Sequence, residues 1–481
     1  MSISTAFSNA SSGLTATSRM TEVVSSNVAN AMTEGYARRD VALSARTGGG
    51  VRIDTVSRVV SESLQQSLRL AAADAGNAQV RSTFLQRFED QLGTPGGSGA
   101  LSSAFSNLET ALIAASSLPD ISARLTAVAT AAGSLADKLN AVSADLQQSR
   151  LEADRSIATQ VDTLNAALQQ VAELNRTITG ELANGRDANG LIDQRQALIA
   201  KIGEIVPVRS APHQGGQVTL YTTGGALLLD GTSTVEIGFS PVGAMTADMT
   251  LAGGVLSGLT INGKPISSTD EGVLGGGTLG AAFAVRDALA PSAQSGLDAL
   301  ARNLIDRFAD PSVDPTLASG AAGLFTDAGT AFDAANETGL AGRIRLNALV
   351  DPAAGGEVWR LRDGLGAAVP GSVGDATRLN ALSEALTRDM TPASAALGTA
   401  ARSASGLAAE LLSRASTARV SAELRSTYTA AQHDSLSEAA LSEGVDTDYE
   451  MKTLLQIEQS YAANAKVIRA IDDMMQRILE L

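Results

Sequence analysis

At 481 residues the chain exceeds the roughly 250–300 residues at which a single hydrophobic core stops growing, so several modules are expected. Only 3% of residues are aromatic, so its cores must be built from Leu, Val, Ile and Ala, which suits thin helical layers. A net charge of −15 argues against a nucleic-acid-binding face or a polybasic membrane anchor, and the lack of Cys excludes disulfides, thiolate catalysis and Cys-based zinc sites.

The first helix candidate sets Ile3, Phe7, Ala10, Leu14, Thr17, Thr21, Val24, Val28 and Ala31 on one stripe. Ser, Thr and Asn dominate its other positions and compete for backbone hydrogen bonds, so this helix is expected to be disordered until a partner covers it. Residues 1–18 carry no charge and no continuous apolar core, which is not the pattern of a cleaved secretory signal; any export is expected to leave the N-terminus in place. Residues 37–60 read as a hairpin-like connector.

All twelve prolines lie between Pro95 and Pro392, and none falls between Pro119 and Pro207, which leaves room for long helices. Residues 61–206 read as the first part of a helical bundle. Leu64, Leu68, Ala71, Ala75, Ala78, Leu85 and Leu92 mark one helix. From Ile121 a heptad stripe runs through Leu125, Val128, Ala132, Leu135, Leu139, Val142 and Leu146. It weakens at Ser149 and Ala153, then resumes from Ile157 to Leu182. As a single helix this would extend about 90 Å, stopping at Asn184-Gly185. More than half of the 46 glycines lie between 206 and 370. Residues 207–280 read as a β-rich insertion facing outward, 281–310 as a bundle helix, 311–372 as a small β or irregular insertion, and 373–445 as the second part of the bundle. No run of about 18 apolar residues is present to cross a membrane.

The last segment, 446–481, is a stronger helix. Thr447 and Glu450 fit a capping box, with Thr447 as N-cap. Leu454, Ile457, Tyr461, Asn464, Ile468, Ile471, Met475 and Ile478 hold its seam. Asn464 interrupts that seam, either as a register-setting polar residue or as a solvated one. The fold expected is mainly α with a β-rich insertion. Its terminal helices pair as a coiled coil beside an elongated bundle that is discontinuous in sequence.

Asn27-Val28-Ala29-Asn30, with Thr33, Gly35 and Tyr36, resembles the N-terminal signature of the bacterial flagellar axial proteins: rod, hook and hook-associated. Tyr461 through Ile468 resembles the matching C-terminal signature. The helical run 61–206, with Leu191-Ile192-Asp193-Gln194-Arg195, and the stretch from Leu279 through Arg286-Asp287 are similar to the hook-associated members that join hook to filament. Departures are Arg39 and Ala462 where the family commonly has Gln, and Gln196 where it has Asp.

The resemblance implies a structural, non-enzymatic subunit of the extracellular flagellum, exported by the flagellar type III system and assembled as a homo-oligomeric ring. It implies as partners the hook protein, a second junction protein (hook-associated protein 3), the export apparatus and a cytoplasmic chaperone on the C-terminal region, with no nucleic acid and no membrane insertion. The expected assembly surface comprises Ile3, Phe7, Leu14, Val24, Asn27, Val28, Asn30, Gly35 and Tyr36, with Leu454, Ile457, Tyr461, Asn464, Ile468, Ile471, Met475 and Ile478. A hook or distal-rod subunit is the alternative within the class.

Little else suggests chemistry, and no catalytic, cofactor or metal residue is assigned. Gly275 to Gly280 satisfies G-x-G-x-x-G but lacks a βαβ context, so it reads as a flexible re-entry loop; a dinucleotide-binding enzyme is the remote alternative. His213 and His433 read as solvated or locally bonded. Asp446, Asp448 and Glu450 fit helix capping better than calcium. Trp359 is expected to anchor a small core. Arg38 and Arg39 fit either an ion pair across an interface or ordinary surface charge.

Overall fold

A computed structural model describes residues 3–33 and 35–480; Met1, Ser2, Glu34 and Leu481, which fall within the expected terminal segments, lie outside the described residues. The chain opens with helix α1 (Ile3–Ala29) and an antiparallel hairpin of β1 (Arg39–Ala45) and β2 (Val51–Arg58). Four helices follow: α2 (Glu62–Leu92), α3 (Leu101–Ser117), α4 (Ser122–Ala183) and α5 (Asn189–Ile205).

The chain then turns to short strands. A four-stranded antiparallel sheet takes β3 (Val208–Pro212), β4 (Val218–Thr222), β5 (Leu227–Asp230) and β6 (Ser233–Thr234) in sequence order. A three-stranded one takes β7 (Ile237–Gly238), β8 (Thr260–Ile261) and β9 (Lys264–Pro265). Helices α6 (Gly277–Ala284) and α7 (Ala290–Phe308) are joined through a π-helical turn, Val285–Leu289. After them come β10 (Phe325–Asp327) paired with β11 (Ile344–Leu346), a short α8 (Arg360–Asp363), α9 (Thr377–Thr387), α10 (Ala404–Ser442) and α11 (Thr447–Leu479).

The 62 residues of α4 form the spine. Every apolar residue of the heptad stripe from Leu125 to Ile178, apart from half-buried Leu174, is buried. The helix ends at Asn184, and Gly185 supplies the left-handed backbone (φ 69°) that a side-chain-bearing residue adopts at a cost. Two hydrophobic cores share this spine. One packs its first half, to Ala153, against α2, α3, α7, α9, α10 and the β10–β11 segment. The other packs its second half, from Ile157, against α5, α6 and the β3–β9 region. Helix α10 lies antiparallel to α2, with Arg419 paired to Glu89 and Ser426 Oγ 2.9 Å from Gln79 Oε1.

Between the cores, where the stripe weakens, sits a buried polar cluster. Asp154 and Arg286 form an ion pair at 2.7 Å, and neither side chain is exposed. The Arg286 guanidinium also lies over the rings of Phe283 and Phe239. Arg150 donates to the carbonyls of Arg286 (2.9 Å), Thr246 (2.9 Å) and Met249 (2.5 Å), while burial holds its guanidinium below the usual arginine range. The π turn brings the Arg286 carbonyl and side chain to this point together, as π bulges at special sites often do.

Four expectations need correction. Helix α1 forms within a single chain, because α11 and the hairpin already cover its buried side. Its Ser and Thr hydroxyls bond back along the helix, Thr17 to Gly13 O (3.0 Å) and Thr21 to Thr17 O (3.0 Å), so they do not break it. Gly275 to Gly280 is a close-packed joint and not a flexible loop. A Cβ on Gly277 would lie 2.3 Å from Ile205 O, and Asn77 Nδ2 donates to Gly277 O at 2.8 Å. Trp359 is only half-buried, with its indole N–H on Glu357 and Arg360 over its ring. The neighbouring core is built instead from Leu361, Phe325, Ile344 and Val350, contiguous with the bundle. The N-cap of α11 is Asp446, whose carboxylate accepts from the amides of Asp448 (2.9 Å) and Tyr449 (3.1 Å); Thr447 is the first helical residue.

Candidate assembly interface

Helices α1 and α11 run antiparallel and pack closely at Gly13. A Cβ there would lie 2.6 Å from Asn464 Nδ2, so the glycine is the space into which the Asn464 amide packs. The polar interruption of the α11 seam is thus matched to a missing side chain on α1. Away from this crossing, Ala10, Ala16, Thr17, Val23 and Val24 are buried on α1, and Ile457 and Ile471 on α11. The buried stripe of α1 is rotated from the expected one toward Gly13, Ala16, Val23 and Asn27, because the hairpin as well as α11 lies against it.

The hairpin is tied to α1 at both ends. At its tip, the amide of Val51 donates to Ser12 Oγ at 3.1 Å, and the Gly49-Gly50 turn comes so close to Asn9 and Ser12 that a Cβ would fall 2.8 Å and 2.4 Å from them. At its base, Asn27 makes a two-point amide pairing with the Arg39 backbone, Nδ2 to Arg39 O at 2.9 Å and Oδ1 from Arg39 N at 3.0 Å. The Tyr36 hydroxyl donates to the same Oδ1 at 2.9 Å and lies 3.2 Å from Ser26 Oγ. An Asn nine residues before a Tyr thereby fixes where the chain leaves the helix and enters β1. Asn30 bonds back to Ser26 O, and Gly35, just before Tyr36, has a positive φ of 79°.

The two arginines divide. Arg38 faces α11, with Nε 3.5 Å from the buried Glu450 carboxylate and its guanidinium over the Tyr449 ring. Glu450 therefore serves this pairing and not a capping box. Arg39 and Arg58 both reach Asp193 of α5, at 3.2 Å and 2.8 Å. Two residues on, and about 200° around the helix, Arg195 points into the body and donates to Asn175 Oδ1 and Gly216 O at 2.8 Å each; burial, with the Arg58 charge nearby, pulls it down to about 10.

Pairing leaves much of the expected surface open. Val24, Asn27, Ile457 and Ile471 are buried; Ile3, Leu14, Asn30, Tyr36, Leu454, Asn464 and Ile468 are half-buried; and Phe7, Val28, Gly35, Tyr461, Met475 and Ile478 are exposed. Tyr461 lines an open cleft with Leu14, Thr15, Ser18, Arg19, Glu22 and Ile53. Sequence reasoning left an Arg38 ion pair open without naming Glu450, and it missed Gly13, Asn9 and Ser12. Of those three only Gly13 carried a signal, as a glycine in mid-helix with no turn to explain it.

Among the described residues no group of three His, Cys, Asp or Glu is placed to hold a metal ion. His213 lies 3.8 Å from Asp230 and His433 lies 3.3 Å from Asp434, both at the surface.

Comparison with known proteins bears on this geometry. The model for the flagellar hook-associated protein FlgK helical domain matches residues 85–312, which span the spine, the second core and part of the first. The model for the flagella basal body rod protein matches 7–36, and that for the flagellar basal body rod FlgEFG protein C-terminal region matches 439–481, so the two fall on the paired helices. The chain is thus similar to flagellar hook-associated protein FlgK over its helical region and to flagellar rod proteins at both ends.

Hook-associated protein 1 of Salmonella typhimurium is 26% identical over 263 residues, covering 52% of this chain and 47% of that protein. The Bacillus subtilis protein of that name is 29% identical over 229 residues, covering 44% and 43%. The chain thus spans about half the length of the curated relatives it matches. The solved flagellar hook junction protein FlgK from Burkholderia pseudomallei aligns with a TM-score of 0.44 at 20% identity, covering 54% of this chain and 46% of that one. No described helix is long and apolar enough to cross a membrane.

Proposed function

We propose that this chain is a structural, non-catalytic subunit forming the junction between flagellar hook and filament, exported by the flagellar type III system and assembled into a ring through α1 and α11. The observation that carries this reading is the unfinished seam. After the helices pair, Phe7, Tyr461 and Met475 remain 50% exposed and Ile478 58%. Fully burying such a side chain is worth about 1.5–3 kcal/mol, so neighbours closing on the half-exposed set would gain several kcal/mol per subunit. Coiled-coil packing of these helices against adjacent subunits is the form we expect. The hook protein below, hook-associated protein 3 above, and an export chaperone on α11 before assembly are the partners this implies. A hook or distal-rod role would call for a β-dominated 61–206, a span that α2 to α5 occupy.

The test is complementation of a strain lacking the gene. Wild-type chain should restore filaments; Tyr461→Asp combined with Ile478→Asp should leave hooks intact and release monomeric filament protein. Normal filaments from the double variant would overturn the reading.

A further inference from the structure

The terminal unit of α1, α11 and the hairpin contributes no residue to the buried set of either hydrophobic core, which together run from Phe84 to Ala415. Polar contacts tie it to the body. Asn189 Nδ2 donates to Val56 O at 2.9 Å, Arg19 lies 3.6 Å from Asp187, and Asp193 takes two arginines. Those two arginines are directly opposite each other, since Arg39 pairs with Arg58 in the β1–β2 register. Like charges facing across a strand pair repel. The Asp193 carboxylate enters between them with one oxygen for each, Oδ2 from Arg39 Nη2 and Oδ1 from Arg58 Nε, and its side chain is only 11% exposed.

We infer that Asp193 is the positioning residue of this joint, setting the direction in which the terminal unit leaves the body. Without its charge the base of the hairpin carries two facing cations and loses its main hold on α5. The unit then swings about its covalent links at residues 59–61 and 443–446. Neither hydrophobic core holds it in place, because none of their buried residues lies on the terminal unit. This goes beyond the junction role and holds wherever the chain assembles, because it concerns a single molecule.

The chain has no Cys, so a labelled pair can be introduced cleanly. Ser460→Cys on α11 and Thr163→Cys on α4, both exposed, would carry spin labels for pulsed electron–electron distance measurement. The parent should give one narrow distance distribution. Asp193→Asn should broaden or shift it while leaving the thermal transition of the body in place, and Asp193→Glu should restore the narrow form. If Asp193→Asn loses that transition, the pair Arg39→Gln and Arg58→Gln, on the hairpin side, is read by the same criterion. A distribution of unchanged centre and width in the variant so read would overturn the assignment.

Discussion

Replacing Gly13 by Leu tests the fit at the helix crossing. The first added atom would lie 2.6 Å from Asn464 Nδ2, 2.9 Å from Cγ and 3.0 Å from Oδ1, so the amide must move. Within α1 alone the change is favourable by about 0.8 kcal/mol, the difference in helix propensity. Against it stands the cost of overpacking a fitted contact, about 1–3 kcal/mol. The crowding should win, weakening the α1–α11 pairing by about 1 kcal/mol, which is roughly a five-fold rise in the opening equilibrium. Because the pair shares no buried core residue with the body, global melting is a poor readout. Amide exchange across residues 454–471 is the better one. Adding Asn464→Ala should recover much of the loss, giving a coupling of about 0.5–3 kcal/mol as expected for residues in contact. Unchanged exchange in Gly13→Leu, or strict additivity in the double variant, would refute the close-packed crossing.

Arg286→Met strands the Asp154 carboxylate in the interior and should cost about 3–5 kcal/mol in urea unfolding, because a buried charge has lost its partner; a loss below about 1 kcal/mol would mean the site relaxes to admit water. Asn27→Ala removes the two-point pairing with the Arg39 backbone and should speed exchange of the Arg39 amide, at a local cost of about 1–3 kcal/mol. Ile468→Asp and Ile471→Asp should each block incorporation into the flagellum while leaving the body's thermal transition in place, and a collapse of that transition would reassign α11 to the subunit's own core. In the soluble chain, amides from Ala10 to Asn27 should be protected, whereas exchange as fast as in an unfolded peptide would show that α1 needs neighbours to form.

The long elements were legible because heptad spacing and proline placement report directly on them. The stripe from Leu125 to Ile178 is buried along its length, apart from half-buried Leu174, and α4 stops at the Asn-Gly pair that permits a left-handed turn. The weak patch at Ser149 and Ala153 was visible too, but its meaning was not. That Arg150 and Asp154 meet Arg286 more than a hundred residues away depends on tertiary packing that no local pattern encodes. The same limit applies to the candidate interface. Its apolar positions follow a period, whereas the rotation of α1 is set by a hairpin whose Ser12 and Asn27 contacts span 39 and 12 residues. The Asp446 cap was missed for a simpler reason. Asp and Thr in succession both make good caps, and a Glu three residues after Thr447 favoured the wrong one.

The spine has a mechanical corollary. A single unbroken helix threads both lobes of the body, so neither lobe can loosen without fraying the rod that supports the other. Tension applied along such a strut is borne by a continuous ladder of backbone bonds and not by a seam between separately folded pieces. The lobes should yield together, at one threshold, when the particle is pulled or heated.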